Sequence, residues 1–252
     1  MPKPSLQRRC FAIGALLLFV FLAVITAWLL PKPSAAPPDQ PEQYPVQGFD
    51  ISHHQGEIAW NKIPSHRYQF VLIKATEGGD YQDPKFQENW LKARERGFVV
   101  GAYHFYRLCR EGHIQAENFI ATVPVKADVL PPVIDLEYDE KCIHHYTQEQ
   151  LLQQIEIMVH RLEQHYHQQP IFYTSKAFYN IVLADHAPKN LLWIREYHGQ
   201  PTLRGNPNWS FWQYTAKGKI AGIASPVDLN VFAGDLEQWQ AFRRQSQPTA
   251  AP

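Results

Sequence analysis

Two carboxylates placed two residues apart on one strand are the first chemistry legible in this chain. Residues 133–140 read Val-Ile-Asp-Leu-Glu-Tyr-Asp-Glu and follow the pair Pro131-Pro132. Strand side chains alternate between faces, so Asp135 and Glu137 share one face while Ile134, Leu136 and Tyr138 take the other. Neighbouring carboxylates do not both ionise freely: each charge raises the other's pKa, leaving one group protonated and one anionic near neutral pH. Such a pair can protonate a leaving group while stabilising positive charge, as cleavage of a glycosidic bond requires. Taken alone, the same residues also fit an exposed acidic strand end.

Those side chains need a scaffold, and the chain supplies eight strand candidates. Residues 46–52 read as a short first strand with Asp50 near its end. Residues 70–74, Phe-Val-Leu-Ile-Lys, have the nearly continuous apolar pattern of a strand buried on both faces. They lead into the loop 75–79, where Lys74 and Glu77 stand close enough to pair. Asp83 and Pro84 read as the cap and first position of a helix ending at Gly97. Further strands fall at 98–106, 133–138, 170–175, 191–195, 210–215 and 227–231, with helices at 112–122, 147–168 and 178–184 and a last one at 236–243. The helix from Thr147 has a capping box with Gln150 and an apolar stripe of Leu151, Ile155, Met158, Val159 and Leu162. Strand and helix alternate to about residue 185, which predicts parallel strands with right-handed crossovers; after that strands follow with hardly any helix. Eight strands suffice to close an irregular α/β barrel of TIM-like kind, whose ligand-facing rim lies at the strands' C-terminal ends.

The 252 residues allow one large domain, at 46–244. Formal net charge is zero, so there is no basic footprint for nucleic acid. Aromatic residues make up 13% and include seven Trp, a count that suits either sugar-stacking walls or a large aromatic core. Residues 10–30 carry no charge and would rise about 30 Å as a helix, the thickness of a bilayer's apolar core. Lys3, Arg8 and Arg9 in the segment 1–9 precede this run, so the positive-inside rule keeps the N-terminus cytoplasmic and sends the remainder across. The reading is an uncleaved single-pass anchor, with the domain in the periplasm or outside the cell. Ser34-Ala35-Ala36 leaves open a cleaved signal and a secreted protein. Residues 31–45 are a Pro-rich spacer and 245–252 a polar tail. The twelve histidines do not form a metal motif: His53-His54 on an extended segment would point apart, and 142–145 has no partner pair at zinc spacing. No metal or cofactor is expected, and the chain is read as a monomer.

Eight short motifs in order give the chain a likeness. They are Gly48-Phe49-Asp50-Ile51-Ser52, residues 70–78 (Phe-Val-Leu-Ile-Lys-Ala-Thr-Glu-Gly), Val100-Gly101-Ala102-Tyr103-His104-Phe105 and Val133-Ile134-Asp135-Leu136-Glu137, then Phe172-Tyr173-Thr174, Leu192-Trp193-Ile194, Phe211-Trp212-Gln213-Tyr214 and Val227-Asp228-Leu229-Asn230. Together they resemble family 25 of the glycoside hydrolases, the Chalaropsis-type lysozymes, over nearly the whole globular part. The resemblance implies a (β/α)5(β)3 barrel and an N-acetylmuramidase that cuts the β-1,4 bond between N-acetylmuramic acid and N-acetylglucosamine in peptidoglycan. It implies Glu137 as general acid/base, Asp135 as partner of the substrate's acetamido group, and Asp50 and Asp228 as further rim carboxylates. Tyr103, Tyr173, Trp212 and Gln213 would line the groove, with His104 inward or outward by one register step. A substrate-assisted, retaining route is favoured; Asp228 as base in an inverting route is the rival. Two departures stand out: where the family usually has a small residue and then a Tyr after Leu192-Trp193-Ile194, this chain has Arg195-Glu196 before Tyr197, and His53-His54 follow Ser52 where the family more commonly has an aromatic near the second position.

Cys109 and Cys142 each follow an active-site strand by a few residues. Consecutive parallel strands are often neighbours, which puts a disulfide within reach; two free thiols are the other reading. Competing functions from other classes are a catalytically silent glycan-binding barrel and a metal-dependent polysaccharide deacetylase.

Overall fold

The computed structural model describes residues 43–142, 144–186 and 188–246. The expected membrane helix, most of the spacer and the last six residues lie outside the described residues. Among the described residues, no helix is long and apolar enough to cross a membrane.

Eight strands close a barrel. They are β1 (Gln47–Ile51), β2 (Tyr68–Glu77), β4 (Val99–Phe105), β5 (Val133–Leu136), β6 (Ile171–Ser175), β7 (Leu192–Arg195), β8 (Phe211–Gly218) and β9 (Val227–Phe232). A two-residue strand, β3 (Tyr81–Gln82), folds back on the end of β2. From β1 through β2 and β4 to β8 every neighbouring pair is parallel; β9 closes the ring antiparallel to both β8 and β1. Helix α1 (Phe86–Glu95) follows β3, α2 (Gly112–Thr122) follows β4 and α3 (Gln148–Tyr166) follows β5. After β6, α4 (Lys176–Phe178) runs on as a π turn (Tyr179–Leu183) and a 3-10 turn (Ala184–His186), and α5 (Leu236–Gln245) ends the described chain. Between β1 and β2 only two 3-10 turns form, and no helix stands between β7 and β9. Helix and strand thus alternate to about residue 185 and then cease to.

The period of two sorts the core into two layers. Phe70, Leu72, Val133, Ile171, Phe211 and Phe232 fill the barrel, whereas Phe49, Val71, Ile73, Ile134, Leu136 and Ile194 face outward. There they meet Phe86, Trp90, Phe119 and the expected stripe of α3, all buried. Helix α5 lays Trp239 against Phe70, Phe211 and Phe232. Those phenylalanines sit at the starts of parallel strands or the end of the antiparallel one, so the barrel's floor is aromatic and sealed. Each such ring removed from water contributes about 1.5–3 kcal/mol. Polar side chains are left for the opposite mouth.

Local chemistry explains where elements start. Thr147 Oγ1 accepts the Gln150 N–H (3.2 Å) and Gln150 Oε1 accepts the Thr147 N–H (3.0 Å), the capping box of α3. A Cβ on Gly112 would stand 1.8 Å from the Gln154 carbonyl oxygen, so only glycine lets α2 and α3 approach this closely. Three local expectations are corrected. Asp83 does not cap α1; its carboxylate accepts the Lys85 N–H (2.9 Å) and the His53 N–H (2.9 Å) and pairs with the His53 ring, and the helix begins after Lys85. His53 and His54 lie on a 3-10 turn capped by Ser52, not on an extended segment, so their rings come together at 4.0 Å. Tyr44, counted in the spacer, packs on Trp209 and Trp212.

Candidate active site

The barrel's C-terminal mouth opens into a cavity of about 200 Å³. It is lined by Asp50, Lys74, Tyr103, Phe105, Asp135, Glu137, Tyr173, Trp193, Gln213 and Asp228. Parallel strands deliver these residues from inward positions between mid-strand and just past the C-terminal end: Tyr173 and Gln213 are the third residues of β6 and β8, and Glu137 follows the last residue of β5. The antiparallel β9 delivers Asp228, its second residue, and so reaches the same mouth.

Asp135 and Glu137 do point the same way. Glu137 leaves β5 between two anchors: Tyr106 N–H donates to the Asp135 carbonyl (3.0 Å) and Thr174 Oγ1 to the Leu136 carbonyl (2.8 Å). Burial, and then the charge of Glu137, push the Asp135 carboxyl well above the usual carboxylate range, with Lys74 and Arg195 opposing. Burial also raises Glu137; Arg195 pulls it back and Asp228 adds to the rise. The pair therefore titrates as a unit that holds a proton above the pH at which free carboxylates lose theirs. Asp135 Oδ1 is buried and has no hydrogen-bond partner among the described residues. A buried acceptor left open at a cavity wall is a place for a ligand's donor.

Across the mouth, Asp50 and Asp228 sit directly opposite each other in the β1–β9 ladder. Like charges so placed repel. Burial first, and then the charge of Asp228, push Asp50 well above the carboxylate range, and burial raises Asp228 as well, the direction expected of two facing acids that share one proton. Its Oδ2 accepts from Gln213 Nε2 (2.9 Å) and Asn230 Nδ2 (2.7 Å). Gln213 Oε1 in turn accepts from the hydroxyls of Tyr173 (3.0 Å) and Tyr197 (2.9 Å), and Asn230 Oδ1 from Trp193 Nε1 (2.8 Å). Burial and the surrounding carboxylates hold the Tyr173 hydroxyl protonated, so it remains a donor. One network thus fixes β1, β6, β7, β8 and β9 against each other beneath the cavity.

Other side chains complete or leave the site. Lys74 Nζ pairs with Glu77 (2.7 Å) and lies over the Phe105 and Tyr81 rings. Arg195 Nη2 stands 2.8 Å from Glu137 Oε1. Cys109 and Cys142 are joined in a disulfide, Cα atoms 4.8 Å apart, and Arg107 Nε pairs with Asp139 (2.9 Å). These two links tie the loop after β5 to the loop after β4. Trp212 is corrected: it is not on the cavity wall. Strand neighbours cannot share a face, and with Gln213 inward the Trp212 indole points outward, donating to the Glu196 carbonyl (2.7 Å). His104 is likewise outward and fully buried, bound to Thr76 (2.7 Å) and Gln115 (3.1 Å), where burial lowers its pKa to about 4. Phe105 and Trp193 went unread as wall residues, although counting by two from Tyr103 and from Arg195 finds them.

A closed barrel whose mouth gathers four carboxylates and aromatic rings around a small cavity is equipped for acid/base cleavage of carbohydrate. Comparison with known proteins makes the class specific. The model of Glycosyl hydrolases family 25 matches residues 49–223, more than half of the chain. Lysozyme M1 of Streptomyces globisporus is 33% identical over 208 residues, 78% of this chain and 71% of that protein. The uncharacterized protein YegX of Escherichia coli K12 is 33% identical over 207 residues, 80% of this chain and 75% of that one. A family 25 glycosyl hydrolase from Bacillus anthracis has a similar structure, with a TM-score of 0.77 at 35% identity, covering 84% of this chain and 99% of that chain. The chain belongs to family 25 of the glycosyl hydrolases and is a glycoside hydrolase.

Proposed function

We propose that the protein is an N-acetylmuramidase that hydrolyses the β-1,4 bond after N-acetylmuramic acid in peptidoglycan. The observation that carries this is the pair of a buried Asp135 and a half-buried Glu137, both with raised pKa values and with an unpartnered Asp135 Oδ1 beside the acid. Similarity to Lysozyme M1 points the same way. Glu137 gives its proton to the glycosidic oxygen as the C1–O bond breaks. The substrate's own acetamido oxygen attacks C1, and Asp135 accepts the acetamido N–H and stabilises the positive charge of the cyclic intermediate. Water then opens that ring, Glu137 takes the water's proton, and configuration is retained. Asp50 and Gln213 shape the opposite wall, and Tyr173 stands beside Asp135 in the β5–β6 ladder. In the rival route Asp228 activates water for direct inversion.

Release of reducing ends from purified peptidoglycan is the test. Glu137→Gln should lower it about 10²–10⁴-fold; equal rates for variant and wild type would sink the assignment and favour a silent glycan-binding barrel. Loss of activity with a chelator would instead favour a metal-dependent deacetylase. The anomer formed first, read by NMR, separates the retaining and inverting routes. For localisation we infer a single-pass anchor at 10–30, supported by the uncharged run after Arg9. A soluble protein with a mature N-terminus near Ala36 would overturn it.

A further inference from the structure

The ion pair between Arg195 and Glu137 has no part in the steps above, and it opposes the first of them. A guanidinium 2.8 Å from Glu137 Oε1 favours the ionised carboxylate, the state that has no proton to give. Arg195 is the last residue of β7 and reaches past β6 to the end of β5. Its side chain remains 38% exposed against 19% for Glu137, so a solute entering the mouth can reach it. Among the described residues Glu137 is its ion-pair partner. A planar guanidinium half-open to solvent binds a carboxylate through paired hydrogen bonds, a geometry that suits an incoming anion.

We propose that Arg195 determines specificity: on binding, its guanidinium leaves Glu137 for a carboxylate carried by the glycan, so that an anionic substrate anchors itself and frees the acid. As Arg195 departs, Glu137 takes up one proton from solvent, and no other bond changes. The proposal rests on the reading of Glu137 as general acid. The groups facing this pair are Asp135 on β5, Tyr173 on β6, Tyr197 after β7 and Asp228 on β9. Both tyrosines are raised by burial and stay neutral, so the acidic groups near Glu137 that can carry charge are the two aspartates. Two sources in peptidoglycan supply a carboxylate: the lactyl group of muramic acid where no peptide is attached, and the peptide stem where one is.

The experiment uses the full chain as wild type, Arg195→Gln and Arg195→Lys on three probes. These are peptide-free glycan with free lactyl carboxylates, peptide-bearing glycan, and glycan whose carboxylates are converted to neutral methylamides. Wild type should prefer a charged over the neutralised glycan by about tenfold or more, chiefly in KM, the worth of one charged hydrogen-bonded contact. Arg195→Gln should lose that preference and Arg195→Lys keep part of it. On the charged glycan the alkaline limb of wild-type kcat should lie at higher pH than that of kcat/KM, because bound substrate has drawn Arg195 away; on the neutralised glycan the two limbs should coincide. The limb of kcat/KM should move to higher pH in Arg195→Gln. Preference for the peptide-free probe assigns the lactyl carboxylate, and preference for the peptide-bearing probe the stem. Equal cleavage of charged and neutralised glycan by wild type, with coincident limbs on both, overturns the proposal and needs no variant. It leaves the muramidase reading standing, whereas wild type inactive on all three overturns both.

Discussion

Asp50 shows how a buried acid at this mouth depends on its proton. Its folded-state pKa is raised, by burial and then by Asp228. Stability linked to it is therefore complete below the unfolded pKa and is lost as pH rises through the folded one. Asparagine reproduces the protonated form without a charge. Asp50→Asn should melt above wild type at pH 8, by about 2–4 °C for each kcal/mol relieved, and the gap should close at pH 4; a lower melting point at both would refute the shared-proton arrangement. Glu137 gives the matching kinetic prediction. Burial raises it, so kcat should persist above the usual carboxylate range and fall as pH rises through the raised value. At this scale the sequence read well where strand parity applied. Asp135, Glu137, Asp50, Asp228, Tyr103, Tyr173 and Gln213 all line one cavity. Trp212 was misplaced by taking two adjacent residues of one motif for wall residues, against that same parity. The charge of Arg195 was legible as a departure; its position against Glu137 depended on β5 and β7 both flanking β6.

Elements were legible where their ends carry local chemistry. The Thr147–Gln150 box lies in the sequence and in the structure alike because its partners are three residues apart. Thr147→Ala should cost about 1 kcal/mol, seen as a melting point lower by about 2–4 °C with kcat unchanged, since α3 lies outside the barrel wall. The turn His53–Gln55 was hidden by contrast. Asp83, thirty residues on, holds it through the His53 N–H and ring, and nothing local announces that contact. Gly112 belongs with it: its need for hydrogen in place of Cβ comes from Gln154 on another helix.

At the scale of the whole molecule, closure assembles the site. The disulfide Cys109–Cys142 spans 33 residues and ties together the loops that follow β4 and β5. By loop closure alone such a link contributes about 3–4 kcal/mol. The double variant Cys109→Ser/Cys142→Ser should melt correspondingly lower than wild type, and an unchanged melting point would show that the link is not formed in solution. The sequence by itself determined the eight barrel strands, the alternation that fails after residue 185 and the same-face pair Asp135–Glu137, because each rests on periodicity or spacing along one segment, and it carried the family likeness through eight short motifs in order. Tertiary structure alone decided that Asp228 faces Asp50 across an antiparallel closing strand, that Gln213 links Asp50 to Tyr173 and Tyr197, and that Arg195 rests on the acid. Those contacts join residues up to 178 positions apart in the chain, Asp50 to Asp228 being the widest. Only when the barrel closes does a fixed distance separate them, and with it a shared proton or a charge pair.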